Sequence, residues 1–136
     1  MTHTNPRQGC IFCEKPMDER LFTSRRAFAC LDRHPVAPGH ILVIPARHEA
    51  SWFELNRREQ QEMLEVLDQA REYLDARYSP DGYTIGVNEG AAAGQTVFHV
   101  HLHLIPRYVN DVEDPRGGIR GVLPGKQRYP ITTSDE

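Results

Sequence analysis

The 136-residue chain contains no stretch of about 18 or more apolar residues, so it offers no candidate for a membrane-spanning helix. Its opening Met1-Thr2-His3-Thr4-Asn5-Pro6-Arg7 lacks the apolar core of a signal peptide, and the cytoplasm is the expected location. Cysteine is scarce: three residues, Cys10, Cys13 and Cys30, make an odd number and no disulfide framework. Basic excess is also missing. A formal charge of -3 gives no general attraction to polymeric nucleic acid or to an anionic membrane, so any phosphate recognised here must be met by local groups. No internal repeat or low-complexity segment occurs, which excludes solenoids and arrays.

What is present suits one domain spanning 1–136, with 39% hydrophobic and 26% charged residues. Leu21-Phe22-Thr23-Ser24 and Ala27–Leu31 are short apolar runs able to pair as neighbouring strands across Arg25-Arg26. After the breakers Pro35, Pro38 and Gly39, the run His40-Ile41-Leu42-Val43-Ile44-Pro45 reads as a buried strand. Asn56 with Glu59 fits a helix cap and its reciprocal acid, and Met63, Leu67, Ala70 and Leu74 continue a helix to about Arg77. Ser79-Pro80-Asp81-Gly82 stops it, and Tyr83–Val87 returns to period two. Strands, one long helix, then strands favour an α+β fold, an antiparallel sheet with the helix packed on one face. From about residue 107 the chain turns polar and rich in turn formers, as an arm wrapping over the domain, and Ile131 to Glu136 give little reason for order.

Three of the seven histidines, His99, His101 and His103, fall at alternate positions with Val100, Leu102 and Leu104 around them. In an extended strand such rings share one face roughly 7 Å apart, while the aliphatic residues enter a core. Imidazole serves as nucleophile, acid–base group or metal ligand. The central His101 is best placed for attack, with a backbone carbonyl fixing its tautomer, and His103 for donation to a phosphate oxygen or leaving group. Gly94-Gln95-Thr96 supplies an amide, a hydroxyl and backbone donors for a developing phosphoryl charge, and Asn88 adds one more. Cys10-Ile11-Phe12-Cys13 reads as a metal or redox pair with the spacing of half a zinc site, and Cys30 as plain core.

The segment His99-Val100-His101-Leu102-His103-Leu104-Ile105 resembles the signature of the histidine triad family of nucleotide hydrolases and transferases. Cys10–Cys13, Asp32, Pro38-Gly39-His40 through Pro45, and Ala93-Gly94-Gln95-Thr96-Val97 match in the family's order. The resemblance implies that His101 attacks the α-phosphate of a nucleotide conjugate and forms a nucleotidyl-histidine intermediate that water resolves. It implies that His103 contacts the phosphate, that His40 supports the triad, and that Asn88, Gln95 and Thr96 hold substrate oxygens. By the same likeness Asp32 binds ribose hydroxyls, with Leu21, Phe22 and Leu31 as weaker candidates for the nucleobase pocket. Zinc-containing relatives in the wider superfamily imply a structural Zn2+ on Cys10, Cys13, His48 and His99, with Mg2+ possible on the substrate's polyphosphate. A homodimer is implied as well.

The arm continuing as Ile105-Pro106-Arg107-Tyr108-Val109-Asn110-Asp111 is closer to the dinucleoside polyphosphate hydrolases than to the phosphoramidases, and an adenosine substrate is favoured. Phosphoramidate hydrolysis and nucleotidyl transfer are the alternatives within the family. Outside it stand a hydrolytic metal on His99, His101 and a distant histidine, and a nucleotide-binding module without turnover. Arg116 and Arg120 could approach a polyphosphate tail, though surface salt bridges are the more ordinary use.

Overall fold

The structure, a computed structural model, describes residues 8–130; the expectations for the first seven residues and for 131–136 lie outside that range. Five strands, β1 (Arg20–Thr23), β2 (Ala27–Leu31), β3 (Ile41–Pro45), β4 (Gly82–Val87) and β5 (Leu102–Arg107), form one sheet in the order β1-β2-β3-β5-β4. Every neighbouring pair is antiparallel, and a single α-helix, α1 (Arg57–Tyr78), lies between β3 and β4 in the chain. This is the expected α+β arrangement. Among the described residues no helix is long and apolar enough to cross a membrane.

The sheet has two differently used faces because side chains alternate along each strand. Ala27, Ala29, Ile41, Val43, Leu102 and Leu104 face the helix and meet Met63, Val66, Ala70 and Leu74. Val66, rather than Leu67, holds the second buried position of the helical stripe, and Leu67 packs at its margin. Phe28, Cys30, Leu42 and Ile44 face the other way, covered by Phe12 with Cys10 and Val97 alongside. Cys30 pairs in register with Leu42, and Leu42 with His103, so this second face carries a row running from the apolar cluster to a histidine.

The helix begins as its sequence demands. The Asn56 side chain accepts the Glu59 amide at 2.8 Å, and the Glu59 carboxylate accepts the Asn56 amide at 2.9 Å, a reciprocal cap. Arg47 grips the same carboxylate through Nε and Nη2 at 2.9 and 3.0 Å, tying the segment after β3 to the helix start. Near the middle, Glu62 accepts Ser24 Oγ, the Arg26 amide and Arg26 Nη1 at 2.8, 2.9 and 2.7 Å, which fixes the β1–β2 turn on the helix. Those bonds, chiefly from Arg26, hold its carboxyl down at about 2. At the far end Ser79 takes a left-handed φ of 48° and terminates the helix.

Gly39, just before β3, has φ +89°, and a β-carbon there would lie 2.9 Å from Leu74 Cδ2, so this turn needs glycine twice over. Beyond β5 the arm folds back. Arg107 pairs with Asp111 at 2.7 and 2.9 Å, the Tyr108 hydroxyl donates to the Pro38 carbonyl at 2.8 Å, and a short 3-10 turn spans Gly118–Val122. Arg116 pairs with Asp114, and the Arg120 guanidinium lies 4.5 Å from the Tyr129 ring centre, so both are used within the arm.

Candidate active site and metal centre

Only part of the histidine segment is a strand. β5 begins at Leu102, whereas Val97, Phe98 and His99 lie in a bend, and the Val100 amide donates to the Glu49 carbonyl at 2.7 Å. The expectation of three rings in a row on one strand face is therefore corrected: the bend turns His99 inward. Its ring is fully buried, Nε2 lies 2.7 Å from the Pro45 carbonyl, and Nδ1 lies 3.5 Å from Cys10 Sγ and 3.4 Å from Cys13 Sγ. Cys13 Sγ is also 3.2 Å from His48 Nδ1.

These four ligand atoms all lie within 4.8 Å of one another. Zinc bound to thiolates and imidazoles sets tetrahedral edges of about 3.3–3.8 Å, and the sulfur–nitrogen separations of 3.2–3.5 Å match them. The Pro45 carbonyl can accept the His99 Nε2 proton, which leaves Nδ1 as the donor atom toward the cysteines, as an outer partner of a metal ligand does. The donor set therefore fits zinc. It closes on itself and includes neither His101 nor His103. A second grouping, Asp32, His40 and His103, is mostly nitrogen and does not suit magnesium, which prefers oxygen.

His101 and His103 remain on the open side, with ring centres 5.0 Å apart. His101 Nδ1 lies 2.9 Å from the His99 carbonyl, an acceptor only, so in the neutral ring the proton sits on Nδ1 and the Nε2 lone pair is exposed. Phe12 meets this ring edge-on at 4.9 Å between centres. The other two rings are set by the Val36 amide, which donates to His40 Nδ1 at 3.2 Å. That places the neutral His40 proton on Nε2, 3.0 Å from His103 Nδ1, and His103 must then carry its own proton on Nε2. Burial lowers the pKa of both, and for His103 the neighbouring His101 and His40 add to burial and bring it to about 4. Near neutral pH this pair is uncharged, as the tautomer chain requires. Asp32 Oδ2 lies 3.5 Å from His40 Nε2, and Asp32 Oδ1 accepts the His34 amide at 2.8 Å.

A cavity of about 460 Å³ opens over the two histidines, and Asp32, Asn88, Gln95, Thr96, Leu31, His101 and His103 reach its wall. His40 stands behind His103 rather than in the wall. Asn88 and Thr96 are exposed, with no side-chain hydrogen bond among the described residues. Gln95 is different. Its Oε1 accepts the Gly90 amide at 2.8 Å, and its Nε2 donates to the Ala50 and Val97 carbonyls at 2.8 and 3.2 Å. The buried amide is spent on bracing the 90–97 loop, which corrects the expectation that its side chain holds substrate oxygens. Gln95→Ala should lower folding stability by about 1–3 kcal/mol, because three partly buried backbone groups lose a partner; thermal or denaturant melting checks this.

Phe22 is a second correction. It packs against the helix-side core, with its ring 5.7 Å from that of Tyr73, and Leu21 packs on the same side. A β-bulge between Arg20 and Phe22 turns this part of β1 toward the helix, away from the cavity. The walls there come instead from Ile11, Phe12, Lys15, Leu42 and Val97. Ile11 and Phe12 drew attention in the sequence only as the spacer of a metal-type pair, which hid their second use.

Comparison with known proteins agrees with this geometry. The HIT domain family profile matches residues 15–110. A HIT-like protein of Mycoplasma genitalium is 37% identical over 108 residues, covering 76% of this chain and 77% of its own. A bis(5'-adenosyl)-triphosphatase of Dictyostelium discoideum is 35% identical over 96 residues, 71% of this chain and 64% of that enzyme. Among solved structures, a zinc-bound histidine triad family protein from Mycobacterium smegmatis superposes with a TM-score of 0.70 at 31% identity, covering 79% of this chain and 81% of that one. With a family match over most of its length and the histidines arranged as described, the chain belongs to the histidine triad family.

Proposed function

We propose that this HIT-family hydrolase cleaves dinucleoside polyphosphates at the α-phosphate through a covalent intermediate on His101. The observation that carries the reading is the 2.9 Å contact from His101 Nδ1 to the His99 carbonyl, which orients Nε2 as a neutral nucleophile. Nε2 attacks phosphorus, a P–N bond forms as the P–O bond to the leaving nucleotide breaks, and His103 Nε2–H donates to the departing or non-bridging oxygen. Water then attacks the same phosphorus from the opposite side, the P–N bond breaks, and a nucleoside monophosphate leaves. Asn88 and Thr96 supply donors to the phosphoryl oxygens, and Asp32 accepts from the ribose hydroxyls. Phosphoryl transfer of this kind depends on positioning and charge stabilisation, and an oriented imidazole supplies the nucleophile.

The similarity to bis(5'-adenosyl)-triphosphatases supports this substrate class. Zinc, in this reading, sits on Cys10, Cys13, His48 and His99 and supplies structural cross-linking only. His101 stands outside that grouping, which weighs against a hydrolytic metal on His99 and His101. The homodimer implied by the resemblance is supported by β4 at the sheet edge with Ile85 exposed and by Phe53 and Leu64 exposed nearby.

Incubation with a diadenosine or diguanosine triphosphate is expected to yield nucleoside monophosphate and diphosphate, with one solvent oxygen in the monophosphate. Consumption confined to phosphoramidates would move the chain to the family's other hydrolytic activity. Binding without consumption of any conjugate would make it a nucleotide-binding module.

A further inference from the structure

One residue of the cavity wall is left unexplained by the reaction: Lys15, which shares the wall with Ile11, Phe12, Leu31 and Leu42. Its residue is only 6% exposed, yet among the described residues no hydrogen bond or ion pair engages its ammonium. No fully buried polar side-chain atom lacks a partner, so the ammonium keeps the access to space that the cavity provides. The Lys15 backbone is firmly held: its amide donates to the Phe12 carbonyl at 3.3 Å, and its carbonyl accepts Arg20 Nε and Nη2 at 3.3 and 3.1 Å. Arg20 in turn lies 4.0 Å over the Phe28 ring. A buried ammonium without a hydrogen-bond partner is costly unless a ligand brings an acceptor.

The register gives the distance at which that acceptor must lie. Cys30, Leu42 and His103 are cross-strand neighbours in one row, so Cys30 is about 10 Å from His103 at the usual strand spacing. Burial chiefly raises the pKa of the Cys30 thiol, with the Lys15 and Arg20 charges lowering it and the Asp32 and Glu19 charges raising it. With the α-phosphorus at His101, this span is comparable to the reach from phosphorus to the far edge of a purine in a nucleoside monophosphate. The base then lies among Ile11, Phe12, Leu31 and Leu42 with its polar edge toward Lys15.

We infer that Lys15 determines base specificity, donating to the O6 and N7 acceptors of a 6-oxopurine and favouring guanine nucleotides over adenine ones. The inference rests on the nucleotide reading of this cavity and departs from the adenine preference that the family likeness implies. An ammonium has only donors. Guanine presents two adjacent acceptors on its O6/N7 edge, whereas adenine presents an acceptor beside an amino donor. Arg33 and His34 also reach the cavity but are exposed, where hydration weakens the selection that such donors make.

The test compares GMP, IMP and AMP binding by calorimetry, alongside kcat/KM for diguanosine and diadenosine triphosphates, in wild type and Lys15→Met. Wild type should favour GMP and IMP about equally over AMP, by about 10- to 100-fold. Lys15→Met, similar in length and apolar, should lose that preference while AMP binding changes by less than about threefold. An unchanged guanine-to-adenine ratio in Lys15→Met would overturn the inference, as would a wild-type preference for AMP. GMP bound well but IMP no better than AMP would overturn it too, since the 2-amino group would then be the recognised feature. If neither dinucleotide is consumed, the hydrolase reading fails, and the mononucleotide binding still decides the role of Lys15.

Discussion

His101→Ala is expected to lower turnover of a dinucleoside polyphosphate by about four or more powers of ten while leaving the fold and bound zinc in place. The rings that adjoin His101 are committed: His99 faces the cysteines, His40 faces Val36 and His103, and His103 has its Nδ1 occupied by His40. Of these four rings His101 alone has a nitrogen lone pair free to attack, oriented by the His99 carbonyl. Alanine removes the nucleophile without disturbing that carbonyl, and no neighbouring ring is oriented to replace it. Rapid quench with a substrate labelled at the α-phosphate should trap label on wild-type protein and none on the variant. Label-free turnover at a near-normal rate in His101→Ala would sink the assignment. Loss of zinc together with activity in that variant would instead favour the hydrolytic-metal alternative, because a structural site has no use for His101.

Much of the fold was legible because its signals are local. Asn56 and Glu59 specify the helix start through bonds between residues three apart, and the β-branched run closed by Pro45 could hardly be anything but a buried strand. The misread parts depend on contacts distant in sequence. Alternation from His99 to Leu104 fits an extended strand, but the pull of Cys10 and Cys13, 86 to 89 residues away, bends the chain before Leu102. A bulge in β1 sends Phe22 to the helix side, and nothing in Leu21-Phe22-Thr23 announces it. Gln95 matches a family position that suggests phosphate contact, yet its partners, Gly90, Ala50 and Val97, make it a brace. Lys15 carried no local signal at all. Its meaning comes from burial in the wall of a cavity whose other residues lie up to 88 residues away along the chain, at His103.

Removing the metal site is expected to have the largest effect on stability. Cys10 and Cys13 sit on the N-terminal turn, His48 just after β3 and His99 just before β5, so one ion would tie the N-terminal turn to two segments of the sheet. Purified protein should hold about one zinc per chain by elemental analysis. Cys13→Ser, or prolonged chelation of the wild type, should cost about 3 kcal/mol or more and lower Tm by on the order of 10 °C for a domain of this size. Cys30→Ser is the control. That thiol is buried in the sheet's apolar cluster, outside the grouping, so its replacement should leave zinc content unchanged. Absence of zinc from the purified protein, with an unaltered Tm for Cys13→Ser in zinc-replete buffer, would remove the site from the account. A further consequence separates structural zinc from mere ballast. Ile11 and Phe12 lie between the two cysteines and form cavity wall, and Phe12 abuts the His101 ring. Loosening the turn should therefore raise KM for nucleotide substrates more than it lowers kcat, because the wall that holds the nucleotide moves while His101 keeps its carbonyl partner.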